Sequence, residues 1–310
     1  MQKITMDIKY KASLFAIVSA FVLASSKFAA GLASGSLAVV SSSLDSLLDI
    51  FMSGMNLFAI RKAAEPPDYG HQYGHAKTEN IAATIQSLVI IFTGGLILYT
   101  AIHKFLHKTA IVYSNFDLGV MILSLLFSAL ISTVLRKVGE RTDSSALKAD
   151  ALHYASDLYS NSAAIVAIIV TYYTGRTYFD LLFSVIIAFL IIFSALKIFR
   201  DGIGGLMDAS IPRETEKKLQ EIIDALPFPY AGYHKMRGRI AGSRKYTDFH
   251  LLICRKESID EAHKLADQLE ITMTREISNL DVIIHIEPCE SECDLTDETC
   301  FVPHKAGSNQ

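Results

Sequence analysis

The sequence has little charge, and none of its cysteines lies before residue 254. The four cysteines are unevenly spaced near the C-terminus and fit no disulfide framework, so we expect thiols in a reducing cytosol. Acidic and basic residues are interspersed and nearly balanced, with a net charge of −3. This balance gives no indication of a nucleic-acid partner. The four cysteines are Cys254, Cys289, Cys293 and Cys300.

Catalytic motifs are missing as well. The chain contains no His-Glu-x-x-His metalloprotease pattern, no Walker A lysine loop and no Gly-x-Ser-x-Gly nucleophile elbow. We therefore do not expect an enzyme, and we do not expect any transport to be driven by ATP hydrolysis within this chain.

What the chain has in excess is apolar sequence. Of its 310 residues, 51% are hydrophobic and only 20% are charged. The apolar runs end near Arg200, and from Asp208 onward the composition is mixed and charged. Length and this shift in composition predict a membrane domain, a small soluble domain and a short acidic tail. We place them at residues 1–207, 208–288 and 289–310.

The predicted membrane domain is an all-α bundle of six transmembrane helices. Each apolar run is long enough to cross a hydrocarbon core of about 30 Å. The first is too long for the apolar core of a cleaved signal peptide, so we expect it to be retained. Loops on one side carry ten lysines and arginines and those on the other carry three, which predicts cytoplasmic N- and C-termini. The expected spans are 12–32, 37–60, 81–103, 116–138, 147–174 and 178–200.

The soluble domain is predicted to be a small α/β unit in the order α-β-β-α-β. Ala241-Gly242-Ser243 marks a hairpin between its first two strands. Ser258 and Glu261 form the pattern of a capping box at the start of the second helix. The expected elements are a helix at 212–226, strands at 233–240 and 245–254, a helix from Ser258 to about 278, and a strand at 281–287.

Four ionisable side chains lie inside apolar segments, as two pairs with i, i+4 spacing. Each pair lies on one face of a helix. A carboxylate at the centre of a bilayer costs roughly 2.5–3.5 kcal/mol, so the group would carry a penalty on the order of 10 kcal/mol without a shared partner. A divalent metal ion that alternates with protons is the partner we favour over a purely structural set of buried hydrogen bonds. The residues are Asp45, Asp49, His153 and Asp157.

Two further sets of histidines lie in the polar parts of the chain. In the loop between the second and third spans, Asp68, His71 and His75 have a spacing that could face one ion, although solvated histidines are an equal alternative. In the soluble domain, histidines on two strands, a helix and a last strand are placed where they could converge. This set is His234, His250, His263 and His285 with Glu287, and Asp267 is a candidate additional ligand.

The C-terminal tail is open to two interpretations. Cys289, Cys293 and Cys300 with His304 could form a metal-binding tract, but their spacing matches no zinc-ribbon pattern. The alternative is a flexible acidic tail.

Taken together, these residues resemble the cation diffusion facilitator family, and most closely its bacterial zinc and iron efflux branch. The resemblance is carried by Asp45 with the Ser46-x-x-Asp49 pattern, by Tyr73-Gly74-His75-x-Lys77-x-Glu79, and by His153-x-x-x-Asp157. It extends from the first span to about Glu287.

The resemblance implies a homodimer in the bacterial inner membrane that exchanges cytoplasmic divalent metal for protons. It implies a transport site at the four intramembrane residues, a loop site at Asp68, His71 and His75, and a binuclear site at the histidines of the soluble domain with Glu287. It also implies that Lys77 pairs with Asp208 and locks the dimer between the two domains.

Zn²⁺ is the expected metal, both as transported substrate and as regulator. Three carboxylates and one imidazole also suit Fe²⁺, Mn²⁺, Co²⁺ and Cd²⁺, whereas the absence of a thiolate disfavours Cu⁺. One alternative is a transporter of the same fold dedicated to Fe²⁺ or Mn²⁺. Another is a membrane-anchored metal sensor or scaffold that binds ions without moving them.

Overall fold

The structure is a computed structural model that describes residues 2–34, 37–107, 115–174, 178–226 and 230–289. The chain divides into two compact units, Met1–Leu206 and Met207–Gln310. We call these the helical unit and the C-terminal unit and describe each by itself.

The helical unit consists of six long helices among its described residues. Each predicted span lies within one of them. Four contain stretches long and apolar enough to cross a membrane, at Met6–Ala30, Thr78–His103, Ile122–Thr142 and Leu181–Leu206. The other two, α2 and α5, carry the predicted intramembrane ligands, and the count of six spans stays a prediction. The helices are α1 (Gln2–Ser34), α2 (Leu37–Ala63), α3 (Thr78–His107), α4 (Asn115–Thr142), α5 (Ser145–Thr174) and α6 (Tyr178–Leu206).

Small side chains let these helices approach closely. Ala12, Ala16 and Ala20 repeat every four residues along α1, so they form one face. That face belongs to a buried cluster that also contains Ile131 and Leu135 of α4. Small residues at helix contacts are a common feature of membrane proteins, because they bring backbones into van der Waals contact.

A buried ion pair connects α1 with α3. Lys9 Nζ lies 2.8 Å from Glu79 Oε1, and the other carboxylate oxygen of Glu79 accepts a hydrogen bond of 2.6 Å from Ser144 Oγ. All three residues are buried. Removing one partner of such a pair would leave a buried charge uncompensated, which typically costs 3–5 kcal/mol.

The C-terminal unit has the predicted α-β-β-α-β order. Its sheet has the strand order β1-β2-β3, with β1 and β2 antiparallel and β2 and β3 parallel. The hairpin turns at Gly242, whose φ of 57° suits a residue without a Cβ. The elements are α7 (Arg213–Asp224), β1 (Gly232–Ala241), β2 (Arg244–Ile253), α8 (Ile259–Glu276) and β3 (Leu280–Pro288).

Local sequence signals explain where these elements begin and end. Ser258 Oγ accepts a hydrogen bond from the Glu261 backbone N–H, and the Glu261 carboxylate accepts one from the Ser258 N–H, so the predicted capping box is confirmed.

The parallel connection from β2 to β3 passes through α8, which packs on the sheet. Helix α8 contributes Leu269 and Met273 to a buried core that contains Phe249 and Leu251 of β2.

Two adjacent glycines of α3 give a matched test of helix packing. A Cβ at Gly94 would lie 2.7 Å from Ile192 Cγ1 of α6, whereas a Cβ at Gly95 would meet nothing within 4 Å. We expect Gly94→Ala to destabilise the chain by about 1–3 kcal/mol through overpacking. Gly95→Ala should be neutral or slightly stabilising, because alanine favours helix by up to about 1 kcal/mol over glycine. Thermal unfolding of both variants in detergent measures the difference, and equal midpoints would contradict the packing.

Candidate metal sites

Three of the four predicted transport ligands come together between α2 and α5. His153 Nε2 lies 2.8 Å from Asp49 Oδ1. One ligand atom each from Asp49, His153 and Asp157 lies within 4.8 Å of the others. The side chains of His153 and Asp49 are 13% and 15% exposed, so the group is largely withdrawn from solvent. Such a cluster can coordinate one divalent ion.

The fourth predicted ligand, Asp45, lies in α2 one helical turn before Asp49. Its side chain lies outside the described part of the structure, so its ligation stays a prediction. The helix also brings Ser46 to a buried lysine, since Lys27 Nζ of α1 donates a 3.0 Å hydrogen bond to Ser46 Oγ.

A polar network that the sequence analysis did not predict follows the transport ligands along the same helices. Asp150 precedes His153 by three residues, and Ser53 follows Asp49 by four. Ser53 Oγ donates to Asp150 at 3.1 Å and is 3.0 Å from the Tyr154 hydroxyl oxygen. Asp150 lies in the first turns of α5, where a charged side chain would be ordinary at a solvated helix end. Its i, i+3, i+7 spacing with His153 and Asp157 is the sequence signal that places Asp150 on the same face of α5 as these two ligands.

The loop between α2 and α3 brings its three predicted ligands together. Asp68 Oδ1 accepts a 2.6 Å hydrogen bond from the His71 backbone N–H, and Asp68 Oδ2 lies 3.3 Å from His75 Nε2. The two imidazole rings are 4.6 Å apart. Gly74, with a φ of 76°, turns the chain immediately before His75. One ligand atom from each of Asp68, His71 and His75 lies within 4.8 Å of the others.

The loop group suits a metal ion in charge and in donor type. The His71 backbone N–H lowers the pKa of the Asp68 carboxyl, despite an opposing effect of desolvation, and the two imidazoles lower it further. Asp68 is therefore an anionic ligand at neutral pH. His75 is buried, and its Nδ1 has no hydrogen-bond partner within the described residues. A buried imidazole nitrogen that lacks a hydrogen-bond partner among the described residues can serve as a metal ligand.

The sheet of the C-terminal unit aligns three histidines in one row. His234 of β1 pairs with His250 of β2, and His250 pairs with His285 of β3. The rings of neighbouring strands are 5.2 Å and 4.7 Å apart. A β-bulge follows His234, where Lys235 has a φ of 54° and the register shifts before Arg237. Bulges of this kind re-aim side chains next to functional sites.

Glu287 is the centre of this histidine row. Its carboxylate oxygens lie 2.6 Å from His250 Nδ1 and 3.0 Å from His234 Nε2. The His234 contact lacks hydrogen-bond geometry, so this buried nitrogen is unsatisfied within the described residues. The hydrogen bond from His250 lowers the pKa of Glu287, with smaller Coulombic contributions from His250, His234 and Lys235. One imidazole nitrogen each from His234 and His250, together with the Glu287 carboxylate, forms a set that suits Zn²⁺.

Two members of the predicted soluble set, His285 and His263, do not belong to this compact group. His285 Nε2 is 3.7 Å from Glu287 Oε1, and its side chain is 64% exposed. His263 lies on the surface of α8, where its Nε2 is 3.6 Å from Asp267 Oδ2. Among the described residues, the compact group contains His234, His250 and Glu287, and ligation by His263 or Asp267 stays a prediction.

The predicted pairing of Lys77 with Asp208 joins the two units and stays a prediction. Within the helical unit, Lys77 Nζ donates a 3.1 Å hydrogen bond to the Leu206 carbonyl oxygen. Within the C-terminal unit, Asp208 Oδ1 accepts one of 2.8 Å from Arg239 Nη1.

The tail is described only at its first residue. Cys289 is buried, and its backbone N–H donates to the Ile253 carbonyl oxygen at 2.9 Å, which extends the pairing of β3 with β2. Cys293, Cys300 and His304 lie beyond residue 289, outside the described residues. The predicted metal-binding tract there is untested.

Comparison with known proteins defines the class. Residues 13–207 match the model of the cation efflux transmembrane domain, and residues 211–289 match the model of the cytoplasmic domain of cation efflux proteins, ZT_dimer. The chain belongs to the cation diffusion facilitator family, as its motifs predicted. It is therefore a multi-pass membrane transporter that exports cations, and not an enzyme. The second match indicates that it forms dimers.

The chain is similar to named relatives over nearly its whole length. It is 32% identical to the cation-efflux pump FieF of Salmonella typhi over 279 residues, which cover 90% of this chain and 92% of the relative. FieF of Shigella boydii gives the same values. A solved structure described as "Mode of Action of a Putative Zinc Transporter CzrB" is 30% identical over 25% of this chain and 96% of its own. Its TM-score is 0.22.

Glu287 provides a test of the histidine row. Replacing its carboxylate by an amide in Glu287→Gln removes the only anionic donor of the group while keeping its size. We expect the full chain in detergent to lose about one high-affinity Zn²⁺ equivalent, since metal affinity falls at least tenfold when such a group is lost. Isothermal titration with Zn²⁺ measures this stoichiometry.

The matched control is Glu276→Gln at the exposed end of α8, where the carboxylate lies beside Arg275. It should bind as many Zn²⁺ ions as the unaltered chain. If Glu287→Gln also kept the full number, the group around Glu287 would not be a metal site.

Proposed function

We propose that this chain exports divalent metal from the cytoplasm in exchange for protons, with Zn²⁺ as its first cargo. The observation that carries the proposal is the convergence of Asp49, His153 and Asp157 between α2 and α5 of the helical unit. Membership in the cation diffusion facilitator family supports export as the direction. The relatives described above are named cation-efflux pumps.

The donor set supports the choice of cargo. Asp45 would complete a site of three carboxylates and one imidazole around the ion. The borderline ions Zn²⁺, Fe²⁺ and Co²⁺ accept nitrogen and oxygen donors, as does the softer Cd²⁺, and Mn²⁺ prefers the oxygens. The set does not discriminate strongly between them, so competition experiments must rank the cargoes.

Proton exchange follows from the chemistry of the ligands. Imidazole and carboxylate bind metal only in their deprotonated forms, so metal binding releases protons and protonation releases metal. His153 has the side-chain type whose reference pKa, near 6.5, is closest to physiological pH. His153 contacts Asp49, so after the metal ion leaves, a proton bound between these two side chains can supply part of the positive charge that the ion supplied.

The proposed setting is the bacterial inner membrane, with six spans and both termini in the cytoplasm. The uneven distribution of lysine and arginine supports this orientation. A homodimer surrounded by lipid is the proposed assembly. In it, Lys77 and Asp208 would pair, and the loop site and the histidine row would bind regulatory metal and stabilise one conformation of the dimer.

Asp49 provides the test of the transport site. We expect Asp49→Asn to lower Zn²⁺ uptake into inside-out proteoliposomes by at least tenfold, because it removes the anionic ligand in contact with His153. Asp201→Asn, on an exposed part of α6, is the matched control and should transport like the unaltered chain. Equal uptake by the two variants would show that the transport site has been misassigned.

The same vesicles distinguish the alternative functions. Uptake of Zn²⁺, Fe²⁺, Mn²⁺, Co²⁺ and Cd²⁺ under a fixed pH gradient should show Zn²⁺ transported at least as well as any other. Uptake of Fe²⁺ or Mn²⁺ alone would favour a dedicated transporter. Binding of all five ions without uptake of any would favour a sensor or scaffold.

A further inference from the structure

A further carboxylate, outside the predicted transport site, lies inside the helical unit one turn before the transport histidine. Asp150 is fully buried, as are Ser53 and Gln86 beside it. Ser53 Oγ lies 3.1 and 3.2 Å from its two oxygens, and Gln86 Nε2 donates to Oδ1 at 3.1 Å. These contacts join α2, α3 and α5, which include both helices that carry the transport ligands.

The charge of this carboxylate is poorly compensated. Within the described residues, no lysine or arginine forms an ion pair with Asp150, and the groups that hydrogen-bond to it are the neutral Ser53 hydroxyl and the neutral amides of Gln86 and Asn56. His153, one turn further along α5, is close enough to attract the carboxylate but already contacts Asp49. Moving an unpaired carboxylate from water into a protein interior costs several kcal/mol even after relaxation. Groups retained in this way are usually functional.

A buried acceptor beside the carboxylate is also unsatisfied. The Asn56 amide lies within reach of the Asp150 carboxylate, and Asn56 is fully buried. Its Nδ2 contacts Gln86 Oε1, but its Oδ1 has no hydrogen-bond partner within the described residues. A buried carbonyl oxygen without a hydrogen-bond partner, on an amide that contacts a buried carboxylate, can serve with that carboxylate as a ligand for one cation.

The position of the group lies on the path that a cytoplasmic ion would take. Helices α2 and α5 are antiparallel, since Asp49 contacts His153 while Ser53 contacts Asp150. Asn56 lies further along α2, toward the end that leads into the Asp68 loop. In the proposed topology this end is cytoplasmic, so an ion from the cytoplasm would meet Asp150 before His153.

We propose that Asp150, Asn56 and Ser53 form a second, oxygen-only binding site for the divalent cargo, on the cytoplasmic side of the transport site. The ion would occupy it when the cytoplasmic ends of the helices separate, and would pass from it to Asp49 and His153. The role on the transport path depends on the proposed function, whereas binding of the ion does not. Carboxylate, amide and hydroxyl oxygens favour hard ions such as Mn²⁺ over softer Cd²⁺.

The substitution Asp150→Asn separates this site from a structural role. The amide keeps the size of the side chain and can still accept from Ser53 and Gln86, and it removes the cost of burying a charge. We therefore expect the metal-free variant to unfold at the same or a higher temperature than the unaltered chain. A carboxylate retained for stability would give a lower one.

Although Asp150→Asn should not lower the stability of the chain, it should lower metal transport. At metal concentrations below saturation, Asp150→Asn should lower Mn²⁺ uptake into proteoliposomes by about tenfold and Cd²⁺ uptake distinctly less. The matched control is Asp143→Asn, at an exposed position with a φ of 52° that asparagine tolerates well. Asp143 lies 3.5 Å from Lys148 at the surface, and its variant should match the unaltered chain for both ions.

A binding measurement isolates the site from transport. In a chain with Asp49→Asn and Asp157→Asn, electron paramagnetic resonance titration with Mn²⁺ counts the ions held elsewhere. Adding Asp150→Asn to that chain should remove about one Mn²⁺ equivalent, and adding Asp143→Asn should remove none. Loss of this equivalent supports the site even if the unaltered chain transports no metal, an outcome that would overturn the proposed function alone.

Three outcomes would overturn the site while leaving the proposed function intact. One is unchanged Mn²⁺ binding on adding Asp150→Asn. Another is that Asp150→Asn takes up Mn²⁺ and Cd²⁺ as fast as Asp143→Asn does, which would make Asp150 a hydrogen-bonding group only. The last is an equal fall for Mn²⁺ and Cd²⁺, which would show that Asp150 acts by positioning His153.

Discussion

The contact between His153 Nε2 and Asp49 Oδ1, at 2.8 Å, is the interaction on which the helical unit depends. An ionisable pair inside an apolar bundle is tolerated only where its members face each other and a shared charge. That requirement fixes α2 and α5 as antiparallel neighbours. It also explains why the next polar groups along both helices, Ser53 and Asp150, meet one turn away.

The C-terminal unit meets a similar requirement by a different route. Three strands place His234, His250 and His285 in one row, and Glu287 reaches back toward them from two residues further along β3. In the sheet, the strand register and the alternation of side chains place the histidines in one row. In the bundle, the helical repeat places the ligands of α2 and of α5 in i, i+4 pairs. Both arrangements place imidazole beside carboxylate, which is the donor combination that divalent transition metals prefer.

Sequence patterns predicted those parts of the structure that have a short repeat. The i, i+4 pairs led to Asp49, His153 and Asp157, and the turn and capping signals at Gly242 and Ser258 led to the α-β-β-α-β order. The compact group of His234, His250 and Glu287 lies within the predicted set, whereas ligation by His263 stays a prediction. His263 lies on a helix, and no strand register ties it to the row, so its distance from Glu287 depends on packing that the sequence does not encode locally.

The buried network around Asp150 was missed for a related reason. Its residues come from three helices, and a carboxylate near the start of α5 reads like a solvated helix end. Only the packing of α3 against α2 and α5 brings Gln86 to it. The ion pair of Lys9 with Glu79 is a second example, since the two residues are 70 positions apart and each is surrounded by ordinary helical sequence.

The most direct test of the account is the simultaneous measurement of metal and proton flux in sealed proteoliposomes that contain the unaltered chain. The vesicles would hold a pH-sensitive dye, and Zn²⁺ would be added outside with no imposed pH gradient. The account predicts that Zn²⁺ influx is accompanied by proton efflux at a fixed ratio, because His153 and its carboxylates exchange one for the other. Zn²⁺ influx without any change in internal pH would contradict it.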